Sequence, residues 1–162
     1  MENYLLGISW DPFEGIPGIY VANHHKRGYR YFSTYNNAVS KKHTIFSRLA
    51  EGGMIENKGD WDWHHVVEGN HLAPLVPPDK FNNLYNKEWP TVLIHSKEEH
   101  KVLNSLLRSK GTLDGLNKNG GKPLRSDERT VYIRRLYHRY QDIYIGDPVL
   151  QKVAHNVIRG FV

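Results

Sequence analysis

Two adjacent histidines, His64 and His65, lie within the aromatic and β-branched run of residues 61–68 and are the residues best suited to chemistry. A buried strand gains nothing from paired imidazoles, because each ring has two nitrogens that need partners once they leave water. A catalytic site has a direct use for them, since neutral imidazole binds divalent metal ions and accepts a proton near neutral pH. The pair is therefore the first candidate for a functional site.

A structural role is the alternative for this pair. Two neighbouring histidines on a strand can be one buried and one solvated imidazole with no function. Side chains alternate between the faces of a strand, which would send His64 and His65 to opposite sides. Both rings reach one site only if the strand is bulged or ends there.

Other candidates stand near the pair or follow it along the chain. Asp62 and Glu68 are carboxylates that can orient an imidazole ring. His100 stands just after Ser96 and Glu99, whose S-x-x-E spacing is a capping box and predicts that a helix starts there. His95 is either a further ligand at a strand end or a residue that bonds locally beside the helix start. Its spacing to His100 is not the H-E-x-x-H of metalloproteases. Three more histidines, which have no partner in the sequence, are predicted to be structural or at the surface: His71, His138 and His155.

Hydrophobic periodicity and turn residues predict the elements that must position these side chains. The predicted elements are a strand within 4–10, a hairpin over 19–32, a helix over 35–50, strands at 61–68 and 91–95, a helix from 96 to 110, a loop over 113–124 and a helix over 127–140 with Val131, Leu136 and Tyr140 inward. Residues 81–89 are predicted to hold at most one helical turn within a loop. Asp147 and Pro148 predict the start of a last helix that ends near Arg159. This order predicts an α+β fold in a single domain, 1–162.

Composition excludes several classes of protein. The 162 residues contain no cysteine, so disulfides and thiolate zinc sites are excluded, and a metal ion would need His, Asp, Glu or Asn ligands. The net charge of +5 favours a phosphate polymer as partner, although many basic proteins are charged for solubility alone. No apolar run approaches the ~20 residues of a membrane span. Residues 1–6 lack the features of a leader, which predicts a cytoplasmic protein or one delivered into a target cell without a conventional signal peptide.

The order strand, long loop, strand, helix, with a histidine pair on the first strand and a histidine on the first helical turn, resembles the ββα-metal finger. This is the His-Me finger, or HNH/endonuclease VII, nuclease superfamily. The run WHHVVE is similar to the WHH and HHIVE nuclease modules of bacterial polymorphic toxins. The resemblance covers about 61–109 and implies a ββα-metal core there, with an N-terminal hairpin and helix (1–53) and a C-terminal helical extension (124–162) added to it.

The resemblance implies a role for each matching residue. His64 and His100 would bind one divalent metal ion (Mg, Mn or Zn), and His65 would be the general base. Asp62 would be the orienting carboxylate, because an acidic residue also precedes the pair in colicin-type nuclease modules. Lys97 and Lys101 would contact the substrate.

Two departures from the family pattern concern asparagine. Many relatives carry an Asn that fixes the long loop just before the second strand, where this chain has Thr91, and the nearby candidates are Asn82, Asn83 and Asn86. Relatives often have another histidine one turn after the first on the helix, where this chain has Asn104.

These residues favour a metal-dependent endonuclease that hydrolyses DNA, as an antibacterial toxin or a phage nuclease. If it is a toxin, its partner would be an acidic immunity protein. Basic residues that could hold the phosphate backbone are Lys97, Lys101, Arg108, Lys110, Arg134, Arg135 and Arg139. The alternatives are an RNase on the same scaffold and a non-catalytic basic module that binds nucleic acid and uses the histidine pair structurally.

Overall fold

Five strands form one antiparallel sheet in the order β1-β2-β3-β5-β4. They are β1 (Trp10–Pro12), β2 (Tyr20–His24), β3 (Gly28–Thr34), β4 (Trp61–His65) and β5 (Pro90–His95). The computed structural model describes residues 1–24, 28–52, 61–95, 99–108 and 124–162. With seven helices around this sheet in the described residues, the α+β class predicted from the sequence is confirmed.

The helices precede, interrupt and follow the histidine strands. They are α1 (Tyr35–Ser40), α2 (Lys42–Glu51), α3 (Gly69–Leu72), α4 (Pro78–Lys87), α5 (Glu99–Arg108), α6 (Ser126–Ile143) and α7 (Pro148–Arg159), with 3-10 turns at Glu2–Leu5 and Ala73–Leu75. Among the described residues, no helix is long and apolar enough to span a membrane. The predicted last helix is confirmed, because Asp147 accepts a hydrogen bond from the Leu150 N–H at 3.1 Å and Pro148 opens α7.

Three helical or strand predictions were wrong in part. The run 4–10 is not one strand, since Gly7 adopts a φ of +79° that β structure does not allow. The predicted helix 35–50 is divided at Lys41, next to Ser40, whose hydroxyl donates to the Asn37 carbonyl at 3.2 Å and so competes with the helical bonds. Val131 is 54% exposed and does not point inward.

The helix α4 replaces the single turn predicted within 81–89. Its start is set by Pro78, whose fixed φ suits the first helical position. Phe81, Leu84 and Tyr85 then recur at helical spacing and pack against the core despite the polar, Asn-rich residues between them. The predicted capping serine, Ser96, and most of the predicted loop over 113–124 lie outside the described residues.

The sheet has helices on both faces, and strand alternation assigns each side chain to one of them. Trp61, Trp63 and Leu93 belong to a core with the apolar residues of α2. Val92 and Ile94 belong to a larger core with residues of α5, α6 and α7. The strand β5 joins the N-terminal hairpin to the histidine strand, because it pairs with β3 on one side and β4 on the other. Thr91 reinforces this junction by donating to the Ser33 carbonyl at 2.8 Å.

Candidate metal centre

The strands β4 and β5 and the helix α5 give the order strand, strand, helix around the histidines. β4 and β5 pair antiparallel without a bulge, from Trp61 opposite His95 to His65 opposite Thr91. Because paired residues share a face, His64, opposite Val92, lies on the face covered by α5. His100 stands in the first turn of α5.

His64 and His100 meet across this face. Their ring centroids are 5.2 Å apart and the rings are inclined at 60°, an edge-on arrangement. The side chain of His64 is 12% exposed and that of His100 is 28% exposed. Two residues far apart in the sequence therefore present imidazoles to one another at the edge of solvent.

Two carboxylates extend this pair on either side. Asp62 lies two residues before His64, on the same face, and its Oδ2 is 3.8 Å from Nδ1 of His100. Glu68 Oε1 is 3.8 Å from Nε2 of His64. Both distances exceed hydrogen-bond length. The side chains thus form a row in the order Glu68, His64, His100, Asp62, with acidic groups at its ends.

The ring of His64 has an unsatisfied nitrogen. Its Nε2 is buried and has no hydrogen-bond partner among the residues that the structure describes. Burial, followed by repulsion from His100 and His65, lowers the pKa of His64 to about 4, so this ring is neutral at physiological pH. A buried nitrogen without a partner is costly for a folded protein, and coordination to a cation would satisfy it.

The row fits a site with two protein ligands. Within the ranges that the structure describes, no three His, Asp or Glu side chains converge as a ready-made cation site. His64 and His100 could hold a divalent ion together, with water or substrate oxygens in the remaining positions. Asp62 faces Nδ1 of His100 at 3.8 Å, where a carboxylate can support a histidine that coordinates through its other nitrogen. Glu68 instead faces Nε2 of His64, the nitrogen available to a cation, and adds negative charge beside the site.

His65 occupies a different environment from His64. Its Nε2 lies 2.8 Å from the Tyr85 carbonyl oxygen, and its ring stacks on Tyr85 at 3.9 Å and on Tyr35 at 5.5 Å. A carbonyl only accepts, so Nε2 carries the hydrogen and the neutral ring keeps its lone pair on Nδ1. Burial lowers the pKa of His65, and the bond to the Tyr85 carbonyl partly opposes that shift.

The unbulged register explains why the two adjacent histidines separate. His65 turns toward α1 and α4, whereas His64 turns toward α5. The structure therefore does not bring His65 to the pair formed by His64 and His100. The general-base role predicted for His65 in that site has no support in this geometry.

Three tyrosine hydroxyls, two on α6 and one on the residue directly after it, hold the segment that follows β4. Tyr144 donates to the Val66 carbonyl at 2.6 Å, and Tyr132 donates to the His71 carbonyl at 2.5 Å. The Glu68 N–H donates to the Tyr140 hydroxyl at 2.8 Å, and the same hydroxyl bonds to Nδ1 of His71 at 2.7 Å. These bonds fix the backbone of the segment that presents the Glu68 carboxylate to His64.

His71 is one end of this network and has a structural role, as the sequence predicted. It is 1% exposed, and burial lowers its pKa to about 4. Since the neutral ring can accept at Nδ1, the Tyr140 hydroxyl can both accept from Glu68 and donate to His71. A periodicity argument could find the buried tyrosines of α6 but not the backbone atoms that they bind.

Basic residues lie near the site and on α6. Lys101 is exposed and directly follows His100, whereas Lys97 lies outside the described residues. On α6, Arg134 and Arg135 are exposed and Arg139 is partly exposed. Lys110 lies outside the described residues, as does the side chain of Arg108.

No role was predicted for Arg30, which is 4% exposed on β3. It donates to Glu99 at 3.2 and 2.6 Å and to Asp147 at 2.8 Å. An available signal was its alternation with Phe32, which is fully buried and predicts that Arg30 points to the same interior face.

Comparison of the chain with protein-family models, with curated proteins and with solved structures finds no match. A function for this chain is therefore inferred from the residues of the site.

Proposed function

We propose that this chain is a metal-dependent endonuclease of the ββα-metal type that hydrolyses phosphodiester bonds in DNA. His64 and His100 are the protein ligands of one divalent cation. The observation that carries the proposal is the meeting of these two rings, with centroids 5.2 Å apart, across an antiparallel strand pair and the helix that follows it. The unpartnered Nε2 of His64 adds to it, because that nitrogen needs a ligand.

The residues of the site perform distinct parts of the proposed reaction. His64 and His100 bind the cation as neutral imidazoles, and the low pKa of His64 keeps its lone pair available at neutral pH. Asp62 Oδ2, at 3.8 Å from Nδ1 of His100, would orient that ring, and Glu68, at 3.8 Å from the Nε2 of His64 that would bind the cation, adds negative charge beside it. The chemistry supplied by a bound divalent cation is charge stabilisation on the phosphoryl oxygens and activation of water.

The cofactor is one divalent ion of Mg, Mn or Zn. Imidazole ligands favour Zn²⁺ or Mn²⁺, whereas Mg²⁺ prefers oxygen and keeps several waters. A site with two imidazoles and water in its other positions accommodates each of them, with affinities that fall from zinc to magnesium.

Contacts to the DNA backbone come from the exposed basic side chains. Lys101 neighbours the site, and Arg134 and Arg135 extend the charge on α6. Binding of this kind is independent of sequence and weakens steeply with salt.

A plasmid nicking assay with Mg²⁺, Mn²⁺ or Zn²⁺ tests the proposal. The wild-type chain should convert supercoiled plasmid to nicked and linear forms, and His64→Ala and His100→Ala should reduce the rate by at least about a hundredfold, since each removes a metal ligand. His43→Ala is the matched control, because His43 is exposed on α2. Plasmid and tRNA incubated in parallel separate a DNase from an RNase.

A non-catalytic nucleic-acid-binding module is the second candidate. The position of His65, held against Tyr85 and turned away from the pair, favours it, because the expected base is missing from the site. If the wild-type chain binds plasmid in a gel-shift assay but leaves it intact with all three metals, the endonuclease proposal fails and this second function takes its place.

A further inference from the structure

We infer that Arg30 is a positioning residue that sets His100 against His64, an inference that rests on the proposed function for its catalytic meaning. Arg30 lies on β3, in the N-terminal hairpin outside the strand–strand–helix unit. Its two terminal nitrogens hold both oxygens of Glu99, at 3.2 and 2.6 Å. Glu99 directly precedes His100 in the first turn of α5, so the bidentate contact fixes the backbone that carries the ligand.

The described side chains of α5 include one buried apolar residue. Among its described side chains, Leu103 is buried, while Val102 is 61% exposed and Leu106 is 41% exposed. Apolar packing by Leu103 alone does not set the rotation of a helix about its own axis. A two-point bond at its first turn sets that rotation, because the planar guanidinium matches the carboxylate in a single orientation.

Arg30 is also held by a second carboxylate, that of Asp147. Its Nη2 donates to Oδ2 of Asp147 at 2.8 Å, while Oδ1 of Asp147 accepts from the Leu150 N–H and caps α7. Asp147 thus uses one oxygen for Arg30 and the other for the helix. The result is one rigid ionic cluster that joins β3, α5 and the start of α7.

Burial makes the cluster sensitive to small changes. Arg30 is 4% exposed, the Asp147 side chain 8% and the Glu99 side chain 23%, so solvent replaces lost bonds poorly. Burial alone would lower the pKa of Arg30, but the bonds and charges of Glu99 and Asp147 outweigh it and raise that pKa. Arg30 therefore stays charged, and the position of Glu99 follows that of its guanidinium.

The test compares Arg30→Lys with Arg48→Lys in the full chain. Lysine keeps the charge but cannot bind both oxygens of Glu99 in a fixed plane. Arg48 is the matched control, because it lies on α2 and donates to the Glu14 carbonyl at 3.2 Å, on the other face of the sheet. The readouts are the NMR cross-relaxation between the ring protons of His64 and His100 without metal, and Zn²⁺ affinity by calorimetry.

We expect Arg30→Lys to remain folded, to lose the ring–ring cross-relaxation and to bind Zn²⁺ about tenfold to a hundredfold more weakly. Arg48→Lys should match the wild type in both. An Arg30→Lys protein with unchanged cross-relaxation and unchanged affinity overturns the inference.

Two further results separate this inference from the proposed function. If the wild type binds no metal but Arg30→Lys still loses the cross-relaxation, the positioning role holds and the endonuclease proposal fails. If Arg30→Lys does not fold, Glu99→Gln provides the test, because it keeps the pair of Arg30 with Asp147 and removes one charge from a partly exposed side chain. Unchanged cross-relaxation in Glu99→Gln then overturns the inference.

Discussion

Replacing Tyr140 by phenylalanine should cost stability far beyond the loss of one oxygen atom. The Tyr140 side chain is fully buried, and its hydroxyl serves two partners. It accepts from the Glu68 N–H at 2.8 Å and bonds to Nδ1 of His71 at 2.7 Å. Phenylalanine fills the same ring volume, so the change removes these bonds without creating a large cavity.

The magnitude follows from the two groups left behind. The Glu68 N–H and the His71 nitrogen both lose their partner in a part of the structure where His71 is 1% exposed. Each buried polar group without a partner costs about 1–3 kcal/mol, so the expected loss is about 3 kcal/mol in the free energy of unfolding. That is a large fraction of the ~5–15 kcal/mol that stabilises a typical domain.

Urea unfolding at neutral pH, followed by circular dichroism, measures this loss. The midpoint should fall while the slope with urea stays the same, because the surface exposed on unfolding is unchanged. Tyr29→Phe is the matched control, since Tyr29 is 57% exposed, and it should change stability by less than about 0.5 kcal/mol. A loss below about 1 kcal/mol in Tyr140→Phe would refute the view that this hydroxyl anchors the segment after β4.

Three other predictions concern the pH dependence of stability, the role of Asp147 and the basic residues of α6. Acid should destabilise the fold, because burial holds the pKa of His64 and His71 at about 4 against an ordinary 6.5, so the unfolded chain binds more protons between these values. The free energy of unfolding should therefore fall by up to about 3 kcal/mol for each ring between pH 7 and pH 4, and urea melts with equal stability at both pH values would contradict it. Asp147→Ala removes both the cap of α7 and a partner of Arg30, and should lower the free energy of unfolding by more than about 2 kcal/mol, whereas Asp147→Asn, which can still cap, should lower it less. Arg134→Ala and Arg135→Ala should each reduce the slope of log affinity for DNA against log salt by about 1 in fluorescence anisotropy titrations, and an unchanged slope would exclude α6 from the binding face.

Local patterns of the sequence predicted much of the fold. Asp147 followed by Pro148 marked the start of α7, and the alternation over 19–32 marked the hairpin β2–β3, because both signals depend on neighbouring residues. The pairing of β3 with β5 could not be read in this way, since it joins residues such as Phe32 and Val92 that are distant in the chain. The length of α4 was missed because its apolar residues, three and four apart, are separated by asparagines.

For the site, too, the sequence indicated some of the neighbouring residues and missed others. His64, His100 and Asp62 come together because strand alternation and the order of elements bring one face of β4 against the first turn of α5. His65 does not join them, because that same alternation sends it to the opposite face. Arg30 escaped notice because a lone arginine in an aromatic strand gives no sign of its two carboxylate partners until the chain has folded.

Tyr132, Tyr140 and Tyr144 hold the segment after β4 mostly through its main chain, so position 68 is anchored by its backbone N–H. Glu68 is anchored through its N–H, whereas its side chain is one-third exposed and ends 3.8 Å from the ring. Another residue at position 68 would keep the same backbone course, and its side chain would also be directed toward the ring of His64. Under the proposed function, an amide or a histidine at position 68 would therefore place a different donor beside His64 while the backbone bonds to the tyrosines stay the same.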